Sequence, residues 1–264
     1  MMTAFPRHFA TRRPLVFSIS TTLIFTASII ATAIIQKTAS EPIAQEALGA
    51  IGRTVIGAVA LVCLANCGWF SWLASGGSRT SWLLMLTPLL YVLAVYPLLF
   101  SGRYLLPTED GTLLSMVAAN GFAAGVVEEL IFRGLVLGAL LLHWGVTGGG
   151  LWRALVVSSL LFSAPHALNI LAGAQPLTTM AQLVWAFLLG IVFGALVLAG
   201  GSVWPVAALH GLSDAFVHAN RYGLDVTIDL SSAVLLAFAP LPLVLYSWLL
   251  LHWTKRLPPA PVSA

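Results

Sequence analysis

Two adjacent carboxylates and an arginine stand inside an otherwise apolar stretch, GVVEELIFRGLV, residues 125–136. Glu129 and Arg133 are four residues apart, in the acid-before-base order that lets neighbours on one helix face pair. Such a pair accounts for an arginine in an apolar setting. Glu128 lies about 100° further round a helix and has no partner within its own turn. A carboxyl without a partner in a low-dielectric cavity suits a general base that activates water. The same three residues could also hold helices together.

Two further apolar segments carry chemistry-bearing side chains. In LFSAPHAL, residues 161–168, Phe162 and His166 are four apart on one face, and Pro165 kinks or ends the helix. A kink frees backbone groups that are tolerated only inside protein or beside water, so Phe162 would wall a cavity into which His166 projects. In ALHGLSDAFVHAN, residues 208–220, the residues His210, Asp214 and His218 are spaced by four and form a polar stripe. Asp214 could accept from the imidazole of either histidine, with His218 nearest the following loop. Ionisable groups at membrane depth face the protein interior or water, and three separate segments each contribute one or more. A shared polar cavity is the economical account.

The elements that must position these groups follow from composition. The chain has 264 residues, 59% hydrophobic and 8% charged, and a mean hydropathy of +0.96. Soluble domains carry about 25% charged residues, so this is a polytopic membrane protein and the expected fold is all-α. Apolar runs near spanning length fall at about 15–36, 54–74, 81–100, 113–142, 152–171, 180–200, 203–219 and 230–253. About eight transmembrane helices around a polar intramembrane cavity are therefore expected. Gln36–Arg53 reads as the most polar loop, and the tail LPPAPVSA as disordered. The stretch Leu15–Ile35 is longer than a signal-peptide core and reads as a retained first span. With eight spans, Arg7, Arg12, Arg13, Arg79, Arg153, Lys255 and Arg256 fall on one side, and Lys37, Arg53, Arg103 and Arg221 on the other. The positive-inside rule then places both termini in the cytoplasm. No basic cluster suggests nucleic-acid binding. Cys63 and Cys67, four apart in an apolar segment, read as packing residues.

The motifs EELIFR (128–133), FSAPH (162–166) and HGLSD (210–214), in this order on separate helices, resemble those of the CPBP family of CAAX prenyl endoproteases and bacteriocin-processing enzymes, also called Abi. The resemblance covers residues 113–220 as a catalytic core. Residues 1–112 would then hold the first three transmembrane helices, with no specific motif, and residues 221–264 the last transmembrane helix and its cytoplasmic tail. It implies a glutamate-type intramembrane endopeptidase without a cofactor, built around a cavity open to the cytoplasmic side. By motif position, Glu128 would activate the attacking water with His166 assisting. Arg133 would hold Glu129, Phe162 and His218 would support the site, and His210 and Asp214 would stabilise the oxyanion. Prenyl proteases typically have Asn where this chain has Asp214. Asp214 would therefore either stay protonated or orient a His210 that supplies the donor. The implied substrate is a membrane-anchored or lipid-modified protein or peptide. The short basic termini and the lack of extra domains suggest a bacterial plasma membrane.

Three rivals remain. Glu128, His166 and His210 offer a His₂Glu zinc set, although no H-E-x-x-H occurs in the chain. Serine and aspartyl chemistry are disfavoured, because Ser213 lies in no nucleophile motif and Asp214 has no second membrane aspartate. A non-catalytic immunity, scaffolding or transport protein would use the same cavity for binding.

Overall fold

The computed structural model describes residues 9–10, 12–69, 78–99, 110–145, 148–222 and 228–253. The expectations for Arg7, Arg103, Lys255, Arg256 and the Pro-rich tail lie outside them. Among the described residues the chain is helical without strands. In order, the elements are α1 (Pro14–Gln36), α2 (Pro42–Asn66), α3 (Arg79–Leu84), α4 (Leu86–Leu99) and α5 (Gly111–Glu129). A π-helical segment, Leu130–Val136, joins α5 to α6 (Leu137–Trp144). Then come α7 (Gly148–Ser163), a 3₁₀ segment (Ala164–Ile170), α8 (Pro176–Gly200), α9 (Trp204–Arg221), α10 (Leu230–Phe238) and α11 (Leu241–Trp253).

Among the described residues, five stretches are long and apolar enough to cross a membrane: Pro14–Gln36, Pro42–Asn66, Gly148–Ile170, Pro176–Gly200 and Leu230–His252. Their outward faces are greasy, with Leu23, Ile24 and Ile34 on α1 and Val55, Val59 and Val62 on α2 all exposed. Water would not tolerate so much exposed apolar surface, and the protein is an integral membrane protein. The other three expected spans are coarser. α4 is short, α9 is broken by polar residues, and the α5–α6 rod carries three charges at its centre.

Sequence and structure part at the second helix. α2 begins at Pro42, so only Lys37–Glu41 separates it from α1. The expected loop over Gln36–Arg53 is mostly helix, and Glu46 and Arg53 lie within it. Hydropathy averages over all faces, whereas here the polar side chains turn inward: Arg53 donates to Asn120 on α5, and the Asn120 amide donates to Glu46 at 2.6 Å.

Helices α5 and α9 form the closest seam. A Cβ at Gly121 would stand 2.8 Å from the Asp214 carbonyl oxygen, and one at Gly125 would stand 2.6 Å from the Gly211 nitrogen. Small residues four apart let helix backbones approach in this way, and the approach brings the carboxylates of α5 against the histidine stripe of α9. Pro165 acts as expected: the α-helix stops at Ser163 and continues only as 3₁₀. Outside the spans, Asp229 caps α10. Its carboxyl lies below the usual carboxylate range because the Ser232 backbone N–H donates to it, with the Ser232 and Ser231 side chains adding to the effect.

Gly125→Ala should overpack the α5–α9 seam and destabilise the fold by about 1–3 kcal/mol. The thermal midpoint of the detergent-solubilised protein should fall, while Gly111→Ala, whose new methyl would meet nothing within 4 Å, should leave it unchanged.

Candidate active site

The site sits where α5 gives way to the π-helical segment. Such wide turns are uncommon and recur at functional sites. Glu129 is the last residue of α5, and every residue from Glu129 to Leu141 is buried. One Glu129 oxygen, Oε1, holds two partners. The Arg133 guanidinium lies 2.9 Å away as an ion pair, and His210 Nδ1 donates to it at 2.7 Å. Glu129 and Arg133 are 0% and 2% exposed, so the pair lies in the dry centre of the bundle. The Arg133 guanidinium also reaches the Gly190 carbonyl of α8 at 3.5 Å. Its Cζ stacks 4.2 Å from the Phe162 ring centroid and 5.4 Å from that of Phe193, an arrangement that suits a planar cation.

The other three chemistry-bearing groups are more open. Since Glu129 takes Nδ1 of His210, the ring turns Nε2 towards Glu128 Oε2 at 3.8 Å and Asp214 Oδ2 at 3.6 Å. The side chains of Glu128 and Asp214 are 21% and 26% exposed. Glu128, His210 and Asp214 each offer an atom within 4.8 Å of the others. His166 lies within electrostatic reach of Glu128 but outside this group. Its Nδ1 donates to the Ser163 carbonyl at 3.2 Å, which leaves Nε2 as the free ring atom. Phe162 is buried, with its ring edge-on to both His166 and His210 at 5.6 and 5.9 Å. His218 donates through Nδ1 to the Asp214 backbone carbonyl at 2.7 Å, so its imidazole does not reach the Asp214 carboxylate through that atom. Ser213 spends its hydroxyl on the Leu209 carbonyl, which leaves it poorly placed as a nucleophile.

Sequence reasoning missed several neighbours. Phe193 and Gly190 come from α8, where nothing but apolar and small residues signalled a role. Arg53, Glu46, Asn120 and Gln36 form a polar chain beside the site, and Arg53 lies within electrostatic reach of Glu128 and Asp214. Arg53 and Glu46 fall in the stretch whose hydropathy reads as a loop; the signal in the sequence is Asn120, within an apolar segment.

Residues 110–216 match the family described as type II CAAX prenyl endopeptidase Rce1-like. The match is consistent with the CPBP family to which the three motifs point, and it spans all of them, although it covers less than half of the chain. The Rce1-like family is a peptidase family, which supports a protease. No curated protein and no solved structure matches the chain.

Arg133→Ala would leave Glu129 in the dry interior without its guanidinium partner, with His210 alone on its carboxylate. Breaking a buried pair in this way typically costs about 3–5 kcal/mol, so folded protein in membranes should fall sharply. The double variant Glu129→Gln, Arg133→Met should recover part of that yield, because it leaves neither charge unpaired.

Proposed function

We propose that the chain is an intramembrane endopeptidase, using water activated by Glu128 to hydrolyse a peptide bond of a membrane-anchored or lipid-modified protein. The observation that carries this reading is the contrast between the two adjacent carboxylates. Glu129 is enclosed by Arg133 and His210, whereas Glu128 stays partly open with an imidazole nitrogen 3.8 Å away. In this mechanism Glu128 takes a proton from water, and the water oxygen attacks the scissile carbonyl carbon. The carbonyl oxygen becomes an oxyanion to which His210 donates through Nε2. Of the two roles open to Asp214, orienting the ring is the one its 3.6 Å contact supports. With Nδ1 committed to Glu129, Nε2 donates from the doubly protonated ring. As the C–N bond breaks, Glu128 passes its proton to the leaving nitrogen, with His166 assisting the base.

Around this site the chain would cross the membrane eight times, with α1, α2, α4, α5 through α6, α7, α8, α9, and α10 with α11. An even number puts both termini on one side, and the arginines make that side cytoplasmic. The partners are the bilayer and a membrane-bound peptide, with no role for nucleic acid.

A second reading has one observation in its favour. Glu128, His210 and Asp214 converge within 4.8 Å, and two carboxylates with an imidazole are donors that zinc accepts. Glu129 on Nδ1 is the outer partner that a metal-bound histidine commonly has. This trio holds Asp214 in place of the His166 expected from the sequence. A metal there would supply Lewis-acid polarisation of the carbonyl or water.

The test compares membrane proteomes of cells carrying the native chain or Glu128→Gln, then assays the accumulating substrate with purified protein. Glu128→Gln should lower the cleavage rate at least about 10²–10⁴-fold with no change in thermal midpoint. Activity that survives exhaustive chelation favours the carboxylate reading. Activity lost on chelation and restored by zinc favours the second. A Glu128→Gln variant that cleaves normally contradicts both.

A further inference from the structure

We infer that Arg53 is a further catalytic residue, whose guanidinium donates to the scissile carbonyl oxygen as it becomes an oxyanion. This rests on the peptidase reading, and it concerns a side chain outside residues 110–216, which the family match covers.

The packing of α2 on α5 carries Arg53 to the site. Gly49 of α2 lies against the Asn120 side chain, and Gly57 against Val127 and Leu130. Arg53 stands midway between the two glycines, about one turn from each, beside the stretch of α5 that leads to Glu128. Successive residues of α5 turn by about 100°. Counted from Asn120, Val127 returns to within about 20° on the α2 side, while Gly121 and Gly125, which meet α9, stand about 100° and 140° round. Glu128 falls at about 80°, between the two faces. It therefore looks into the groove where α2 and α9 flank α5. Further along that groove lies a cavity of about 410 Å³, lined among others by Glu46 and Arg53 of α2, Asn120 of α5 and His218 of α9.

Arg53 is held there without being saturated. Its Nη1 donates to Asn120 Oδ1, the Asn120 amide donates to one Glu46 oxygen at 2.6 Å, and Gln36 donates to the other at 3.5 Å. Asn120 is buried, so this chain anchors the guanidinium to α5. Arginine carries five N–H donors, and among the described residues Arg53 makes this one side-chain hydrogen bond. It forms no direct ion pair with Glu46, Glu128 or Asp214, yet it lies within electrostatic reach of all three. A half-buried cation that feels two site carboxylates without touching them leaves a gap that a substrate oxygen can fill.

The reaction needs such a donor. When the activated water adds to the carbonyl carbon, a C–O bond forms, the carbonyl π pair moves onto its oxygen, and Glu128 holds the water's proton. His210 Nε2 donates to that oxyanion. In its ring-orienting role Asp214 accepts and has no hydrogen to offer, and its charge opposes the developing one. The Ser213 hydroxyl is committed to the Leu209 carbonyl. Arg53 brings spare N–H groups and a charge that offsets Asp214. It gives up no proton: the electron pair returns to the carbonyl as the C–N bond breaks, and Glu128 protonates the leaving nitrogen.

The test measures kcat and KM per folded molecule, with the protein that accumulates in Glu128→Gln membranes as substrate. Arg53→Gln should lower kcat by about 10²–10³-fold, as loss of one oxyanion donor does, with KM and thermal midpoint near those of the parent. Arg53→Lys, which keeps the charge but not the fork, should fall between the two. Adding Asp214→Asn to Arg53→Gln should recover part of the loss, because the new amide donates while its oxygen still accepts from His210. A role confined to holding Asn120 would not be rescued in this way. Unchanged kcat in Arg53→Gln overturns the assignment, as does a rise in KM alone, a loss that follows the folded fraction, or a double variant no faster than Arg53→Gln. A native chain that cleaves nothing overturns the peptidase reading instead, and the role of Arg53 falls with it.

Discussion

One carboxylate oxygen ties the bundle together. Glu129 Oε1 receives Arg133 from the next turn at 2.9 Å and His210 from α9 at 2.7 Å. Isolated charges in this dry interior would be expensive, and the arrangement leaves neither partner alone. Arg133 then extends the tie to α8 through the Gly190 carbonyl and to α7 through the Phe162 ring. Four helices are thereby fixed to one another by a single ion pair and its neighbours. The orientation of His210 follows from it, because a ring pinned at Nδ1 must present Nε2 to Glu128 and Asp214.

That constraint gives the two adjacent glutamates different environments. The π-helical segment beginning at Leu130 follows them directly. Glu129 is wholly enclosed, while Glu128, one step round the helix, faces the partly open side. The same chain of causes explains the glycines of α5. Only small residues at 121 and 125 let α9 approach closely enough for His210 to reach Glu129. A fold that is apolar outside and charged at its centre thus uses its costliest residues as its fastening.

Much of this was legible in the sequence where the physics is local. The four-residue spacing of Glu129 and Arg133 foretold their pairing, and Pro165 foretold the end of an α-helix. Two of the three motifs, on α5 and α9, bring Glu128, His210 and Asp214 together, while His166 of the middle motif stays outside that group. What was hidden depends on which way a helix faces. The spacing of His210 and Asp214 suggested a carboxylate partner on its own helix, but the short contact is to Glu129 on α5. Glu46 and Arg53 lowered the hydropathy of their segment and so looked like loop, although an inward face lets α2 start at Pro42. The aromatic support from Phe193 had no signal, since a phenylalanine in an apolar helix looks the same whether it faces lipid or a guanidinium.

The most direct test of this difference between neighbouring glutamates sets Glu128→Gln beside Glu129→Gln and measures cleavage rate and thermal midpoint for both. Glu128→Gln should abolish cleavage while melting like the parent, and Glu129→Gln should melt well below it because Arg133 loses its counter-charge in the dry interior. If Glu129→Gln keeps the parent's melting temperature while Glu128→Gln unfolds, the assignment of one glutamate to the fold and the other to the chemistry is wrong.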